Sequence, residues 1–516
     1  MKIGESFHPF TLSPINPKNN ITMKFKFQHN ELVPDLPYIP KKVTNIAMVT
    51  YLLALVMCLI VYNLYALQWR WMIFGIIEVV GFFYFANACS RGWISFRPRR
   101  FTQNLFWWGF AVRVLFVLIS YVLYTEWTGT AFSIGAADEL MYDDMARYVA
   151  NKMRDGQWNL YDLVHQYDPE FAFSDSGYPI YLSIIYYIFF DSILIARIIK
   201  ALLGAGTAVL VYKLASRNFG EYTGRMAGIM CMLMPNLMYY CSFQLKEIEM
   251  VFLAMLFIER ADALLRLPKM PWRSLFLLML IPTFMFMIRT ALAATLVMGF
   301  ALALLLTSDR VVKGWRRVML IGAVAVFGLV IVASESNIIS DVQQMWETGG
   351  SQQRTNMEWR AERSDMAGGL NQKFAKYAGA SVFAPLIFTI PFPTMAETPG
   401  QENQKMIHGG NYVKNIISFF TIAALFIMLF SGNWRRYVLP VSILCGYLVV
   451  LVFSSFAHSE RFHQPILPLH LMMAAYGISQ MNKLRILKTG YPWWCVLMIV
   501  AALAWNWFKL AGRGMI

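Results

Sequence analysis

Apolar residues gather into repeated blocks from about residue 45 to about residue 510, with short polar intervals between them. Coiled as α-helix, a block of about 20 residues matches the hydrocarbon core of a bilayer, and blocks near that length recur along the whole chain. The pattern predicts about thirteen spans: 45–65, 70–90, 104–124, 193–216, 224–242, 248–265, 274–290, 291–307, 317–335, 414–431, 437–456, 465–480 and 490–510. The expected fold class is an all-α polytopic membrane protein. It is read as a polar N-terminal segment, 1–44, followed by one transmembrane domain over 45–510.

Composition sharpens this picture. With 58% hydrophobic and only 15% charged residues among 516, the chain cannot be an ordinary water-soluble globule. A net charge of +15 would suit nucleic acid, but the Lys and Arg sit in short segments between apolar blocks and read as an orientation signal, so no nucleic-acid partner is expected. Placing the N-terminus in the cytoplasm puts Arg91, Arg97, Arg99 and Arg100, Arg217 and Arg225, Arg266 to Arg273, Arg310 to Arg317, Arg435 and Arg436, and Lys483 to Lys488 on that side together. The N-terminal segment has no short apolar core followed by small residues, so the first span is expected to act as its own insertion signal. Six cysteines without short paired spacings indicate neither a disulfide framework nor a zinc site.

That orientation leaves two long segments outside, 125–192 and 336–413. The first carries ten Asp/Glu against three Lys/Arg between Glu126 and Asp175, an asymmetry that a plain linker does not need. It then turns apolar at Gly177-Tyr178-Pro179. The stretch 177–190 is short and Tyr-rich, which suits a helix lying at the interface; a spanning helix here would invert every later basic segment. The second, with Trp346, Trp359 and several Gly and Pro, reads as a loop over the membrane face.

The strongest local feature runs from Ala136 to Ala150. Met141, Met145, Tyr148 and Val149 recur at helical spacing, so one face can lie on the membrane while Glu139, Asp143 and Arg147 share a polar face. A carboxylate at the start of such a helix can take the proton of an attacking hydroxyl as a general base. It can equally cap the helix or favour its dipole. Asp143 and Asp144 are expected on a solvated face.

The Asp138-Glu139 pair after an early span is followed by Gly177-Tyr178-Pro179, and then by a helix carrying Arg197, Gly204, Thr207, Tyr212, Ala215 and Gly220. Next come Pro235-Asn236, Tyr239-Tyr240, Ser242 and Lys246-Glu247, then Arg289-Thr290-Ala291-Leu292, then Glu460-Arg461-Phe462-His463 with Pro465 and Pro468. In order and topology this series, over about 104–480, resembles the GT-C superfamily of membrane glycosyltransferases, in the branch of the protein O-mannosyltransferases and the lipid A aminoarabinose transferases. It departs from them in two extra N-terminal helices, in Lys246-Glu247 where relatives more often show Ser-Glu-Pro, and in Thr290 where they show Pro.

The resemblance implies an inverting transfer of sugar from a polyprenyl-phosphate donor to an extracytoplasmic protein, lipid or glycan, in a bacterial inner membrane with the site facing the periplasm or outside. It makes Asp138 the base, with Glu139 next. A departing phosphate needs cations, and Arg289, Arg461, Lys246 and Arg197 are the candidates, each equally able to snorkel to the interface. Arg197 has Asp191 as an alternative partner. Glu247, His463 and Tyr178 are expected to contact substrate. Asp138, Glu139 and Glu247 offer oxygen ligands that would suit magnesium or manganese, although no spacing demands a metal. Aromatic residues near the outer loops, Trp127, Trp158 and Tyr161 among them, read as interfacial or sugar-stacking. Two rival readings are an O-antigen ligase or polysaccharide polymerase, which would lean on His408, His458 and His463, and a transporter or flippase of lipid-linked sugars, which would show paired halves that this sequence lacks.

Overall fold

The computed structural model describes residues 34–169, 171–266, 272–306, 386–432, 434–453 and 459–516, together with Ile321, Gly322, Val324 and Ala325. The N-terminal half begins with α1 (Lys41–Val61), α2 (Trp69–Gly92) and α3 (Pro98–Thr128). The first outer segment then folds into α4 (Ala137–Arg154), α5 (Leu160–Tyr167) and α6 (Phe173–Phe189). Next follow α7 (Ile193–Phe219), α8 (Glu221–Leu233), α9 (Pro235–Tyr239), α10 (Glu247–Arg266), α11 (Trp272–Phe286) and α12 (Thr290–Leu306). The C-terminal part holds α13 (Glu402–Met406), α14 (His408–Phe430), α15 (Val438–Phe453), α16 (Glu460–His463), α17 (Leu467–Ser479) and α18 (Arg485–Ala511).

Among the described residues seven helical stretches are long and apolar enough to cross a bilayer: α1, α2, α3, α7, α14, Trp434–Val452 and α18. That is fewer than the thirteen stretches expected, for reasons that differ from run to run. The run 224–242 is broken because Pro235 supplies no N–H and holds Met234 extended, leaving an α8 of 13 residues. The run 248–265 forms the 20-residue α10, but Glu249, Glu259 and Asp262 make it too polar to count. The runs 274–290, 291–307 and 465–480 give helices of 15, 17 and 13 residues. Most of the expected span 317–335 and of the segment 336–413, with Trp346 and Trp359, lies outside the described residues, as does His458.

Local chemistry explains several boundaries. Pro98 opens α3, and Gly129, at φ 70°, closes it with its N–H on the Thr125 carbonyl. Ser192 caps α7 by accepting from the Ile195 N–H. The short α8 ends inside the bundle, where its last carbonyls need donors. Arg113, fully buried on α3, supplies them: its guanidinium reaches the Met232 carbonyl at 3.0 Å and the Cys231 carbonyl at 3.0 Å. Gly204 leaves room for that arginine, since a Cβ there would lie 2.7 Å from Arg113 Nε.

Helix α7 lies at the centre, packed on α3, α8 and α10, while α14 packs on α2, α17 and α18. At one end of the bundle several of the basic segments meet. Arg225 donates to the carbonyls of Trp93, Ile94 and Phe96, Arg266 to Asn218, and Arg436 to the Arg217 carbonyl. The acidic outer segment occupies a different region: α4 packs on α6, and Met145, Val149 and Met153 bury against Leu163 and Val164 of α5. The apolar stripe of α4, expected on the membrane, is therefore largely covered by its neighbouring helices.

Candidate active site

A cavity of about 380 Å³ opens where four separated pieces of chain meet: Ser133–Glu139, Tyr239–Leu245, Gly400–Gln404 and Ser459–Arg461. Asp138 stands on its wall in the first turn of α4, about half exposed, and makes no capping bond to that helix. Its carboxylate instead accepts from Arg461 Nη1, while Arg461 Nε donates to Glu247. One guanidinium thus bridges two carboxylates that are far apart in sequence. Burial works against the arginine's charge, but Glu247 and Asp138 outweigh it and hold the pKa above the ordinary value.

Glu139, one residue on, points the other way. One oxygen accepts from the Ser133 N–H and hydroxyl, and the other from the Gln244 N–H at 2.9 Å, with the buried Arg197 guanidinium 3.7 Å behind it. Burial raises its pKa, against the lowering effects of Arg197, Ser133 and Gln244. So engaged, Glu139 ties the turn carrying Asp138 to the segment before α10. Asp143, expected in solvent, is also buried: it accepts from Arg147 Nε at 2.6 Å and from the Tyr186 hydroxyl. Asp144 is exposed as expected.

The cation candidates divide into two groups. Lys246 Nζ donates to the Ile288 carbonyl at 2.9 Å and pairs with Asp175, and burial, then Arg289, pushes its pKa well down. Arg289, half-buried in the turn between α11 and α12, lies 4.2 Å over the Phe462 ring. Arg289 and Arg461 both depress Lys246, and of the three Arg461 lines the cavity. Arg197 stands apart, fully buried behind Glu139 and bonded to the Ala131 carbonyl at 2.7 Å; Asp191 pairs with Arg154 instead.

The expected substrate contacts are less accessible. Tyr178 is fully buried, edge-on to Tyr142, with its ring 4.8 Å from Lys200 Nζ. His463 is buried with Nδ1 3.0 Å from Lys414 Nζ, and His408 stacks on Tyr51. Neither of these two histidines lines the cavity. Glu247 reaches the site through Arg461. Trp127 packs on Trp71 and Trp158 on Tyr187; the rings that line the cavity are Tyr239, Tyr240 and Phe243.

Asp138, Glu139 and Glu247 do not fit a metal site as arranged. Arg461 lies between two of them, Glu139 is turned to Ser133 and Gln244, and no group of three His, Cys, Asp or Glu converges among the described residues.

Two pieces of the site were not singled out in the sequence. Glu460 lines the cavity beside Arg461, and 400–404 closes one wall, where Asn403 accepts from the Tyr239 hydroxyl at 3.2 Å. A further bond stitches the outer loops together: the Gly177 N–H donates to the Met287 carbonyl at 2.8 Å, and a Cβ on Gly177 would come within 2.8 Å of Met287 Cβ.

Comparison with known proteins adds to this geometry. Residues 177–336 match the family described as dolichyl-phosphate-mannose-protein mannosyltransferase, and residues 406–511 match the Alg9-like mannosyltransferase family. No curated protein matches the chain. Among solved structures it is similar to the archaeal oligosaccharyltransferase AglB from Archaeoglobus fulgidus, in complex with an inhibitory peptide and a dolichol-phosphate, at 12% identity and a TM-score of 0.40. That likeness covers 80% of this chain but only 56% of AglB, and it is too distant to carry an argument.

Proposed function

We propose that this chain is a membrane glycosyltransferase of the GT-C type, and from that premise that it moves a mannosyl group from a polyprenyl-phosphate carrier to an extracytoplasmic acceptor. The observation that carries the reading is the meeting of Asp138 and Arg461, a candidate base and a candidate phosphate ligand, on the wall of one cavity. Asp138 has no structural task there that would explain the arrangement: it caps nothing, and it is half exposed.

In the proposed reaction an acceptor hydroxyl gives its proton to Asp138 as its oxygen bonds to the anomeric carbon. The bond from that carbon to the phosphate oxygen breaks, and its electron pair leaves with the polyprenyl phosphate. Attack from the face opposite the phosphate inverts the centre. Arg461, with Arg289 and Lys246 beside it, faces the negative charge that grows on the leaving oxygen. Arg461 is shared by Asp138 and Glu247; a phosphate is a third anion competing for the same fork, and its arrival loosens Asp138 for proton transfer. Glu247 then keeps the guanidinium in place.

The gathering of basic segments at one end supports a cytoplasmic assignment for that end and an external one for the cavity. A bacterial inner membrane is the proposed location, with a protein, lipid or glycan as acceptor. The test is release of polyprenyl phosphate from a panel of radiolabelled polyprenyl-phosphate sugars by purified wild type and by Asp138→Asn. Turnover by the wild type with loss in a folded mutant is the expected result. Equal turnover by both removes Asp138 from the mechanism, and donor binding without any transfer or hydrolysis points to a transporter.

A further inference from the structure

Just before α10, residues 243–246 run as a non-helical turn whose members reach out in several directions. The Gln244 N–H holds Glu139 at 2.9 Å, Leu245 lines the cavity, and Lys246 donates to the Ile288 carbonyl at 2.9 Å. Glu247, the first residue of α10, accepts from Arg461. A turn outside regular structure has carbonyls that no helix satisfies, and a buried one needs a donor. Lys200 of α7 supplies it: its ammonium, 1% exposed, donates to the Leu245 carbonyl.

The same ammonium lies 3.4 Å from a Glu249 carboxylate oxygen and 4.8 Å from the centre of the Tyr178 ring, both of them buried. An ion pair in such a place is a poor source of stability, because withdrawing two charges from water offsets their attraction and apolar side chains would fill the space as well. The bond to Leu245 gives the lysine a task that an apolar side chain could not take over. We propose that Lys200 is a positioning residue for the donor phosphate: it fixes the turn from which Glu247 holds Arg461 at the cavity wall, an inference that rests on the donor reading above.

The route is short and runs through bonded contacts. Lys200 holds the Leu245 carbonyl, two residues on Glu247 takes Arg461 Nε, and Arg461 lines the cavity. Lys200 itself is not among the lining residues, so its influence reaches a bound donor through the placement of that guanidinium. Released from the lysine, the Leu245 peptide is free to move together with the start of α10, and a displacement of about 1 Å in a group that must meet its substrate is enough to weaken its action severely.

The experiment measures binding of short-chain polyprenyl phosphate, which carries the phosphate without the sugar, to full-length wild type, Lys200→Met, Glu249→Gln and the double variant Lys200→Met/Glu249→Gln in detergent, with thermal unfolding of each. Lys200→Met leaves Glu249 buried and unpaired and should unfold at a clearly lower temperature, whereas the double variant removes both charges and should regain most of that loss. Despite its recovered stability the double variant is expected to bind the lipid phosphate at least about tenfold more weakly than the wild type. Wild-type affinity in the recovered double variant overturns the inference, because the lysine then does no more than neutralise Glu249. Glu249→Gln keeps the bond to Leu245 and should bind like the wild type, so a loss of about tenfold there also overturns it, whether or not the methionine variants fold. Failure of the wild type to bind polyprenyl phosphate or to turn over any polyprenyl-phosphate sugar overturns the donor reading beneath it instead.

Discussion

Two regions of this bundle bury charge, and they finish the task differently. At the basic end, Arg217 meets Glu259 at 2.6 Å, Arg266 meets Asp262 at 3.0 Å, and Arg225 closes on three backbone carbonyls. Charges there join helix ends to one another. At the outer region Arg461 divides itself between Asp138 and Glu247 on the wall of a cavity. Buried charge alone therefore does not mark a site in a membrane protein. A half-exposed charge pair on the wall of open volume does.

If that contrast is right, substitutions in the two regions should separate activity from stability. Asp138→Asn should have the largest effect, lowering kcat by about 10²–10⁴ with little change in unfolding temperature, as read by lipid-phosphate release and thermal scanning in detergent. A stable Asp138→Asn of full activity would break the comparison outright. Arg461→Lys should lower kcat by about 10², because a single ammonium cannot reproduce the fork that holds two anions, and lysine should not rescue donor affinity.

Glu139→Gln sharpens the boundary between the two behaviours. The amide places donors where Ser133 and Gln244 also donate and leaves Arg197 without a charged partner. A kcat loss of about tenfold together with a clear fall in unfolding temperature is expected. A pure kcat loss without destabilisation would move Glu139 into the chemistry. At the other region Asp262→Ala should cost about 2 kcal/mol of stability and leave the kcat of the folded fraction unchanged, since it removes charge-assisted bonds to Arg266 and Asn218 far from the cavity.

Much of this was legible in the sequence, for reasons that can be named. The long apolar runs of α1, α2, α3, α7, α14 and α18 carry their own signal, because a membrane leaves an isolated span no other way to satisfy its backbone. Asp138 and Arg461, 323 residues apart, were both candidates because each stands polar at the mouth of an apolar block. The break at Pro235 was equally readable, but apolarity outweighed the proline in drawing 224–242 as one span.

Other parts were hidden by geometry. Asp138 and Glu139 look alike in a string, yet successive helical residues point about 100° apart, and only tertiary packing decides which one faces the cavity. Asp143 fits an exposed helix face by periodicity, and becomes buried because α6 brings Tyr186 over it. Glu460 stands beside Arg461 in the string, and only the fold shows that it lines the same cavity. The return of 400–404 across the cavity follows no period at all.

The bond from Gly177 to Met287 gives the Gly-Tyr-Pro motif a mechanical meaning. It is a seam: α6 and the turn that carries Arg289 touch backbone to backbone, and the pairing of Lys246 with Asp175 runs alongside it as a second stitch. A single methyl group at position 177 would be a wedge in that seam, prising Arg289 away from Lys246 without altering any charged residue. Two loops more than a hundred positions apart are thereby fastened backbone to backbone, so the motif's glycine serves the placement of an arginine it never touches.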